Sequence, residues 1–410
     1  DRGTTLDVRR SHGSGWLGRV RARHARVCIG LLVFLGWAVF VLSLSERRAA
    51  FADEGPRLQA VAALEPVVQA VAADGIGQLS APSARVLLQD TGREPTLLAL
   101  LAAWAKLSLG RIGLLAAVTC ARLPWLVLCA LGPVLLYGIL LRARDALVAV
   151  AGAGALAYLF AGIAPSLLVG SAAANVGWLL LVLAPYLGTL KAERSARQRQ
   201  CSALTAALAF AIALAVARSA LWVGLVCMLH LSLAHWGSAW RNGRHGRLLL
   251  PSFVGIGLAL AVPCLVVLNL HLWQATPVQV ARFVLTPLGA ATAPLELGAE
   301  NALQRVLPVN GWVALAALAG FVYELAKARR VAPARRDRQA LRAVIGVGLA
   351  VTLLLPLLVP TPLGSLRPPP EFSWPFWAMG CALCVGGVRD LALRAIESRR
   401  TSVADRPHST

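Results

Sequence analysis

Long apolar runs recur along most of the chain, separated by short polar and basic segments. A bilayer core about 30 Å thick requires about twenty apolar residues of α-helix, which rises about 1.5 Å per residue. The pattern therefore predicts an all-α polytopic membrane protein with about ten transmembrane helices. The ten runs cover residues 28–44, 123–141, 146–162, 166–190, 203–217, 219–236, 248–270, 311–326, 343–360 and 375–388.

The composition indicates the same class of protein. Of the 410 residues, 58% are hydrophobic and 14% are charged, whereas a soluble domain is about 45–50% apolar and about 25% charged. A soluble multidomain enzyme is therefore excluded. The net charge of +21 occurs as short clusters between apolar runs and not on one solvated face, so we expect no nucleic-acid partner.

The basic residues alternate between the two sides of the predicted spans. The 45–122 segment contains nearly equal numbers of basic and acidic residues. Because cytoplasmic loops are rich in Lys and Arg, we expect a plasma (inner) membrane protein with both termini in the cytoplasm. An alternative for the first run is a cleaved signal peptide, since Ala50-Phe51-Ala52 has the small-x-small form. The segments that carry nearly all of the net charge are 1–27, 142–145, 191–200, 237–247, 327–342 and 389–410.

Within the predicted 123–388 bundle, the other reactive residues receive structural interpretations. Cys381 and Cys384 form a CxxC on the last apolar run, without a second pair, and we interpret them as small packing residues. None of the eight cysteines lies well inside an external loop, so we predict no disulfide framework. His230 and His235 are interpreted as interfacial anchors.

The predicted external face consists of the 45–122 segment and two smaller loops at 271–310 and 361–374. Pro95 suits the first turn of a helix and Gly110 suits its end. This helix is predicted to be amphipathic and to lie in the membrane interface. The bulky residues expected on one broad face are Leu97, Leu98, Leu100, Leu101, Trp104 and Leu107.

A second part of the external segment, residues 57–73, is similarly amphipathic, with an interruption at Pro66. Just before it lies the acidic pair Asp53-Glu54, about nine residues beyond the first span. Carboxylates near the membrane surface suit proton transfer, and nearby guanidinium groups can bind a phosphate bidentately. Transfer from a phosphate-linked donor is one interpretation; a solvated loop of mixed charge is the other.

Four short elements of this region stand in an order found in a known family. They are Asp53-Glu54 in FADEGPRLQAVAAL, Glu94-Pro95 and Leu109-Gly110 in GREPTLLALLAAWAKLSLG, and Arg122-Leu123-Pro124 in ARLPWLVLCALGPVLLYG. Over about residues 51–160 the chain resembles GT-C glycosyltransferases related to the protein O-mannosyltransferase and lipid A aminoarabinose transferase group. The resemblance implies a GT-C-like fold with interfacial helices in its first external loop.

The resemblance also implies an activity. Such enzymes move a sugar from a polyprenyl-phosphate donor to a hydroxyl of a glycan, lipid or protein acceptor on the external face of the membrane. Asp53 would be the general base and Glu54 would support it or orient the acceptor. The leaving lipid phosphate develops negative charge and needs fixed cations. The candidates for that role are Arg93, Arg122, Arg282 and Arg305.

Arg122 is the leading phosphate-binding candidate because it lies at the mouth of a span, where a charge needs a partner or a function. The alternative is that its side chain snorkels to the interface. Glu94 and His271 are predicted on the same side of the membrane and are candidates for acceptor contact or for sharing a divalent cation. The alternative for His271 is a simple interfacial residue.

Two rival classes are a non-catalytic GT-C-like membrane scaffold and a lipid or solute transporter. A transporter is expected to carry ionisable groups near the midplane of the membrane. The predicted spans are almost free of charge, and Glu324 falls near a cytoplasmic end. The charge pattern therefore argues against ion-coupled transport. A scaffold predicts that Asp53 is dispensable.

Overall fold

The computed structural model describes residues 16–47, 55–80, 83–84, 87, 96–113, 115–161, 172–190, 195–216, 220–239, 249–269, 276–278, 311–330, 336–358, 360–361, 364–365 and 370–404. Within these ranges the chain is helical apart from one short antiparallel β-ladder between Pro360–Thr361 (β1) and Gly364–Ser365 (β2). The all-α expectation is confirmed.

Each of the ten apolar runs overlaps one long helix. A 3₁₀ turn, Ile76–Ser80, follows the third helix, and the β-ladder precedes the last one. The helices are α1 (Trp16–Arg47), α2 (Gly55–Ala63), α3 (Glu65–Asp74), α4 (Thr96–Gly110), α5 (Ala117–Ala143), α6 (Ala146–Ala161), α7 (Ala172–Thr189), α8 (Ala196–Val216), α9 (Ala220–Ala239), α10 (Leu249–Leu268), α11 (Gly311–Arg330), α12 (Arg336–Leu358) and α13 (Pro370–Ala404).

Among the described residues, four helical segments are long and apolar enough to cross a membrane. On α1, large apolar side chains spaced four residues apart are more than half exposed, among them Val27, Leu31, Leu35 and Val39. Such a stripe is unfavourable in water and is typical of a surface that faces lipid. These features are those of a membrane protein. The four segments are His24–Ser43, Ala117–Arg142, Arg197–Val216 and Phe372–Ser398.

Helices α1 and α5 pack antiparallel along their length. Near the start of α1, the Tyr137 hydroxyl donates to the backbone carbonyl of Arg26 at 3.1 Å. Farther along, the Trp37 indole Nε1 donates to the Cys129 carbonyl at 3.2 Å. At the end of α1, Ser45 reaches the first turns of α5. We call this last end of the bundle the Arg122 end, after the arginine on α5 that lies there.

The opposite end, which we call the Glu324 end, is held by ion pairs. Glu324 on α11 is fully buried and pairs with Arg144, between α5 and α6, and with Arg342 on α12. Two more pairs add α13 to this end, Arg389 with Asp145 and Lys327 with Asp390. Segments that the charge pattern assigns to one side of the membrane therefore lie together.

Helices α11 and α13 approach closely through small residues. A Cβ atom on Gly320 would overlap the backbone of Gly380 and Cys384. Beside them, the Cys381 thiol donates to the Val313 carbonyl at 3.4 Å. The CxxC therefore lies in a helix contact, in agreement with its interpretation as packing, and all eight cysteines are free thiols.

His230 is not an interfacial anchor, contrary to the sequence-based interpretation. Its side chain is buried between α7 and α9, and its Nδ1 lies 2.7 Å from the Tyr186 hydroxyl. That hydroxyl also donates to the Cys227 carbonyl at 3.2 Å. Buried polar groups in a bilayer need such partners, and hydropathy along one helix does not show the tyrosine on its neighbour.

Candidate functional site

Arg122 is the central residue of the Arg122 end. Its side chain is fully buried, and its Nη1 donates to the Ser45 carbonyl at 2.9 Å and to the Ser45 Oγ at 3.2 Å. Ser45 belongs to the last turn of α1, whose carbonyls have no partner within the helix. A cation is favourable at that end of the helix dipole. The end of α1 therefore fixes where the guanidinium lies.

The helix that carries Arg122 begins earlier than the sequence predicts. The apolar run starts at residue 123, whereas α5 starts at Ala117. Pro124 is tolerated inside the helix and removes one backbone hydrogen bond there. Arg122 is therefore part of a packed helix and does not precede it.

The burial of Arg122 argues against snorkelling. A snorkelling arginine extends its charged group to the water at the membrane surface. The Arg122 guanidinium is enclosed by protein and bonded to α1. A charge enclosed at the end of a membrane span is a candidate functional group.

The acidic pair Asp53-Glu54 lies outside the described residues, but the helices before and after it are described. Helix α1 ends at Arg47, and α2 begins at Gly55 directly after the pair. Before the pair, Ser45 at the end of α1 accepts a hydrogen bond from Arg122. After the pair, α2 packs against α4 and α5. The chain that carries Asp53 and Glu54 therefore starts and ends beside the helix of Arg122.

Five further candidates, besides the acidic pair and Arg122, lie outside the described residues. They are Arg93, Glu94, His271, Arg282 and Arg305. Their positions near Arg122 stay predictions. In the parts of the chain that are described, no three His, Cys, Asp or Glu side chains form a metal-binding group.

The 45–122 segment between α1 and α5 is folded where the structure describes it. Val61 on α2 and Val67 and Val68 on α3 are buried, as is Leu64 between the two helices. The Lys106 ammonium on α4 donates to the Glu65 carboxylate at 2.5 Å, which ties α4 to α3. A simple solvated loop of mixed charge does not describe this segment.

The observed helices lie within a few residues of the predicted bounds. Helix α4 begins at Thr96, directly after Pro95, and ends at Gly110. The break in the other amphipathic stretch falls at Leu64, because Pro66 occupies the first turn of α3. Local turn and capping chemistry therefore determines both boundaries.

The bulky residues of α4 do not share one environment. Leu98 is buried, whereas Leu101 and Trp104 are 44% and 54% exposed. The buried face is formed mainly by alanines, including Ala99 and Ala102, because their small side chains permit close packing on α5. Leu101 and Trp104 are left on the outer side, where tryptophan suits a membrane interface.

Sequence reasoning missed two residues of the site, Ser45 and Thr119. Both are buried, and the Ser45 hydroxyl donates to the Thr119 hydroxyl at 3.4 Å. Each is a single small polar residue at the end of an apolar run, so the only available signal was its position. Their contact becomes visible once α1 and α5 are paired.

Comparison of the chain with known proteins finds no relative. No family model, curated protein or solved structure matches the chain. The resemblance to GT-C glycosyltransferases therefore rests on the four ordered sequence elements.

Proposed function

We propose that this chain is a glycosyltransferase of the plasma (inner) membrane. It moves a sugar from a polyprenyl-phosphate donor to an acceptor hydroxyl at the external face. In this proposal all ten long helices span the bilayer in a GT-C-like fold. The Arg122 end is external, and both termini are cytoplasmic.

The observation that carries the proposal is the contact between Arg122 and Ser45. It supports a site in which a buried guanidinium lies at the point where the chain leaves α1 toward the acidic pair. Asp53 lies eight positions after Ser45, a length that reaches at most about 26–29 Å when fully extended. This short connection supports a site that combines a cation for the phosphate with an acid for proton transfer.

The proposed reaction uses these groups in separate roles. The acceptor oxygen attacks the anomeric carbon while Asp53 takes the hydroxyl proton, and Glu54 orients the acceptor. The bond between the anomeric carbon and the phosphate oxygen breaks, and the lipid phosphate leaves with the electron pair. Arg122 stabilises that developing charge. The same role is proposed for Arg93, Arg282 and Arg305.

Glu94 and His271 are proposed to contact the acceptor or a divalent cation. A carboxylate and an imidazole are a chemically suitable donor set for such an ion. A bound cation would add positive charge near the leaving phosphate. The proton transfer assigned to Asp53 and the charge stabilisation assigned to Arg122 do not depend on it.

The described charges favour this proposal over ion-coupled transport. Glu324 is a fully buried carboxylate, and it is paired with two arginines at one end of the bundle. An ion-coupled transporter is expected to carry ionisable groups near the midplane of the membrane, whereas this carboxylate lies at one end of the bundle and is held there by ion pairs. The remaining rival is a non-catalytic scaffold, which predicts that Asp53 is dispensable.

The test is turnover of polyprenyl-phosphate sugars by the purified full chain. Wild type is assayed with a panel of such donors and a hydroxyl acceptor, and release of free lipid phosphate is measured. Asn is nearly isosteric with Asp but is not a base, so Asp53→Asn should lower kcat by roughly 10²-fold or more. The matched control is Asp74→Asn, an exposed acid at the end of α3, which should leave kcat unchanged.

Two outcomes contradict the proposal. If wild type consumes no donor of the panel, the scaffold is the better account. If wild type and Asp53→Asn release lipid phosphate at the same rate, the chain transfers sugar but Asp53 is not its base.

A further inference from the structure

The junction between α1 and α5 at the Arg122 end contains three buried polar residues, which we call the outer polar junction: Ser45, Thr119 and Arg122. All three are at most 3% exposed. They come from two helices whose register is set elsewhere by Trp37 and Tyr137. The junction is therefore a fixed arrangement of the fold.

The three residues of the outer polar junction have distinct donor and acceptor roles. A serine hydroxyl donates once and accepts through its lone pairs. The Ser45 hydroxyl donates to Thr119 Oγ1 at 3.4 Å, which turns its lone pairs toward Arg122 Nη1 at 3.2 Å. Thr119 thus sets the Ser45 hydroxyl in the orientation that accepts from the guanidinium.

Both Ser45 contacts use the same nitrogen of Arg122. Nη1 donates to the carbonyl at 2.9 Å and to the hydroxyl at 3.2 Å. Because a guanidinium is planar and rigid, two acceptors on one nitrogen fix the direction of the whole fork.

We propose that Ser45 and Thr119 are positioning residues for Arg122. Neither touches the substrate; they hold the guanidinium in the orientation that binds the lipid phosphate. This inference rests on the proposed function, because it assigns Arg122 to the donor phosphate. It adds that the affinity for the phosphate depends on the end of α1.

The experiment measures binding of a short-chain polyprenyl phosphate without sugar to the purified full chain. The Ser45 hydroxyl supplies one of the two acceptors that Ser45 offers to the Arg122 guanidinium. Ser45→Ala keeps the carbonyl contact, so its dissociation constant should rise about threefold to tenfold. Thr119→Val should give a smaller rise in the same direction, and Ser45→Thr, which retains a hydroxyl, should restore binding.

Kinetics distinguish positioning from a merely structural role. Ser45→Ala should raise KM for the donor by the same factor, and it should also lower kcat because Arg122 stabilises the charge that develops on the leaving phosphate. A merely structural defect would reduce the amount of active protein, and thereby the apparent kcat, at an unchanged KM. The matched control is Ser43→Ala, because the Ser43 hydroxyl donates to the Phe40 carbonyl within α1. This control should leave KM and kcat unchanged.

A double-mutant cycle with Arg122→Gln decides the inference. If Ser45 acts through Arg122, Ser45→Ala has no further effect on lipid-phosphate binding once Arg122 is replaced. An equal loss in both backgrounds, or no loss in wild type, overturns the positioning role while the proposed function stands. A wild-type protein that binds no polyprenyl phosphate overturns the proposed function, and this inference with it.

Discussion

Arg342 donates a hydrogen bond from Nε to the Glu324 carboxylate at 2.9 Å, and thereby joins α12 to α11. Arg144 pairs with the same carboxylate from the turn between α5 and α6. Three parts of the chain thus meet at one buried anion. Such a cluster adds little stability relative to an apolar core of equal volume, but removal of one member leaves uncompensated charge.

The first prediction concerns this cluster. Glu324→Gln leaves two arginines without their anion, so it should lower the free energy of unfolding by about 3–5 kcal/mol. The control is Asp390→Asn, whose partner Lys327 is partly exposed; partly solvated pairs contribute about 1 kcal/mol or less. Denaturant unfolding in mixed micelles measures both. Equal losses would mean that the burial of Glu324 has no energetic consequence.

The second prediction compares two tryptophans. Trp37 donates through Nε1 to the Cys129 carbonyl on α5, whereas the buried Nε1 of Trp222 has no partner among the described residues. Trp37→Phe should lower the free energy of unfolding by about 1 kcal/mol for the lost bond, in addition to the smaller ring. Trp222→Phe should lower it less, because the loss of its N–H removes an unsatisfied donor.

The comparison of these two variants in one unfolding assay isolates the hydrogen bond, since both lose the same ring atoms. A larger loss in Trp222→Phe would show that ring packing dominates at both positions. Trp37 also packs on Phe40 and Phe160, with ring centroids 5.2 and 6.0 Å away, so the Phe variant keeps an aromatic ring at this contact.

Local features of this fold could be predicted from the sequence because neighbouring residues determine them. Pro95 and Gly110 predicted the bounds of α4, and Pro66 predicted the break before α3. The contacts of the candidate site join distant residues instead. Ser45 and Arg122 are 77 positions apart, and no periodicity along one helix indicates which helix lies beside it.

The errors have a related cause. On α4, the pattern predicts one broad face of bulky residues, but packing on α5 buries Leu98 with the alanines and leaves Leu101 and Trp104 outside. The pattern also predicts that His230 lies at the interface, yet His230 and Tyr186 share a hydrogen bond inside the bundle. In both cases the neighbouring helix decides the environment, and the single sequence does not identify that neighbour.

The third prediction concerns the close approach of α11 and α13. A methyl group on Gly320 would meet the backbone of Gly380 and Cys384, which has no flexible side chain to move aside. Gly320→Ala should therefore lower the free energy of unfolding by about 2 kcal/mol or more, within the range for overpacked cores. Gly138→Ala on α5 is the control, because nothing lies near its Cβ position.

Gly138→Ala should be neutral or slightly stabilising, since alanine has the higher helix propensity. Thermal unfolding in detergent compares the two variants. If Gly320→Ala is as stable as Gly138→Ala, the two helices separate easily and their contact does not hold the bundle together.

The last prediction concerns the orientation of the Arg122 end, on which the external site of the proposed function depends. Ile76, after α3, is 77% exposed and lies in the segment between α1 and α5. Ile76→Cys should therefore react with a membrane-impermeant thiol reagent in intact cells or spheroplasts, because the positive-inside rule predicts that this end is external. The native Cys201 is the internal control. It is exposed near the start of α8.

Cys201 belongs to the opposite end, because Arg142 at the end of α5 donates to the Ala184 carbonyl near the end of α7, and α8 follows directly. It should react only after the membrane is permeabilised. If Cys201 were labelled in intact cells and the cysteine at position 76 were protected, the bundle would have the opposite orientation in the membrane. Asp53 would then face the cytoplasm, where an external glycosyl transfer cannot take place, and the proposed function would fail even if the Arg122 end binds a lipid phosphate.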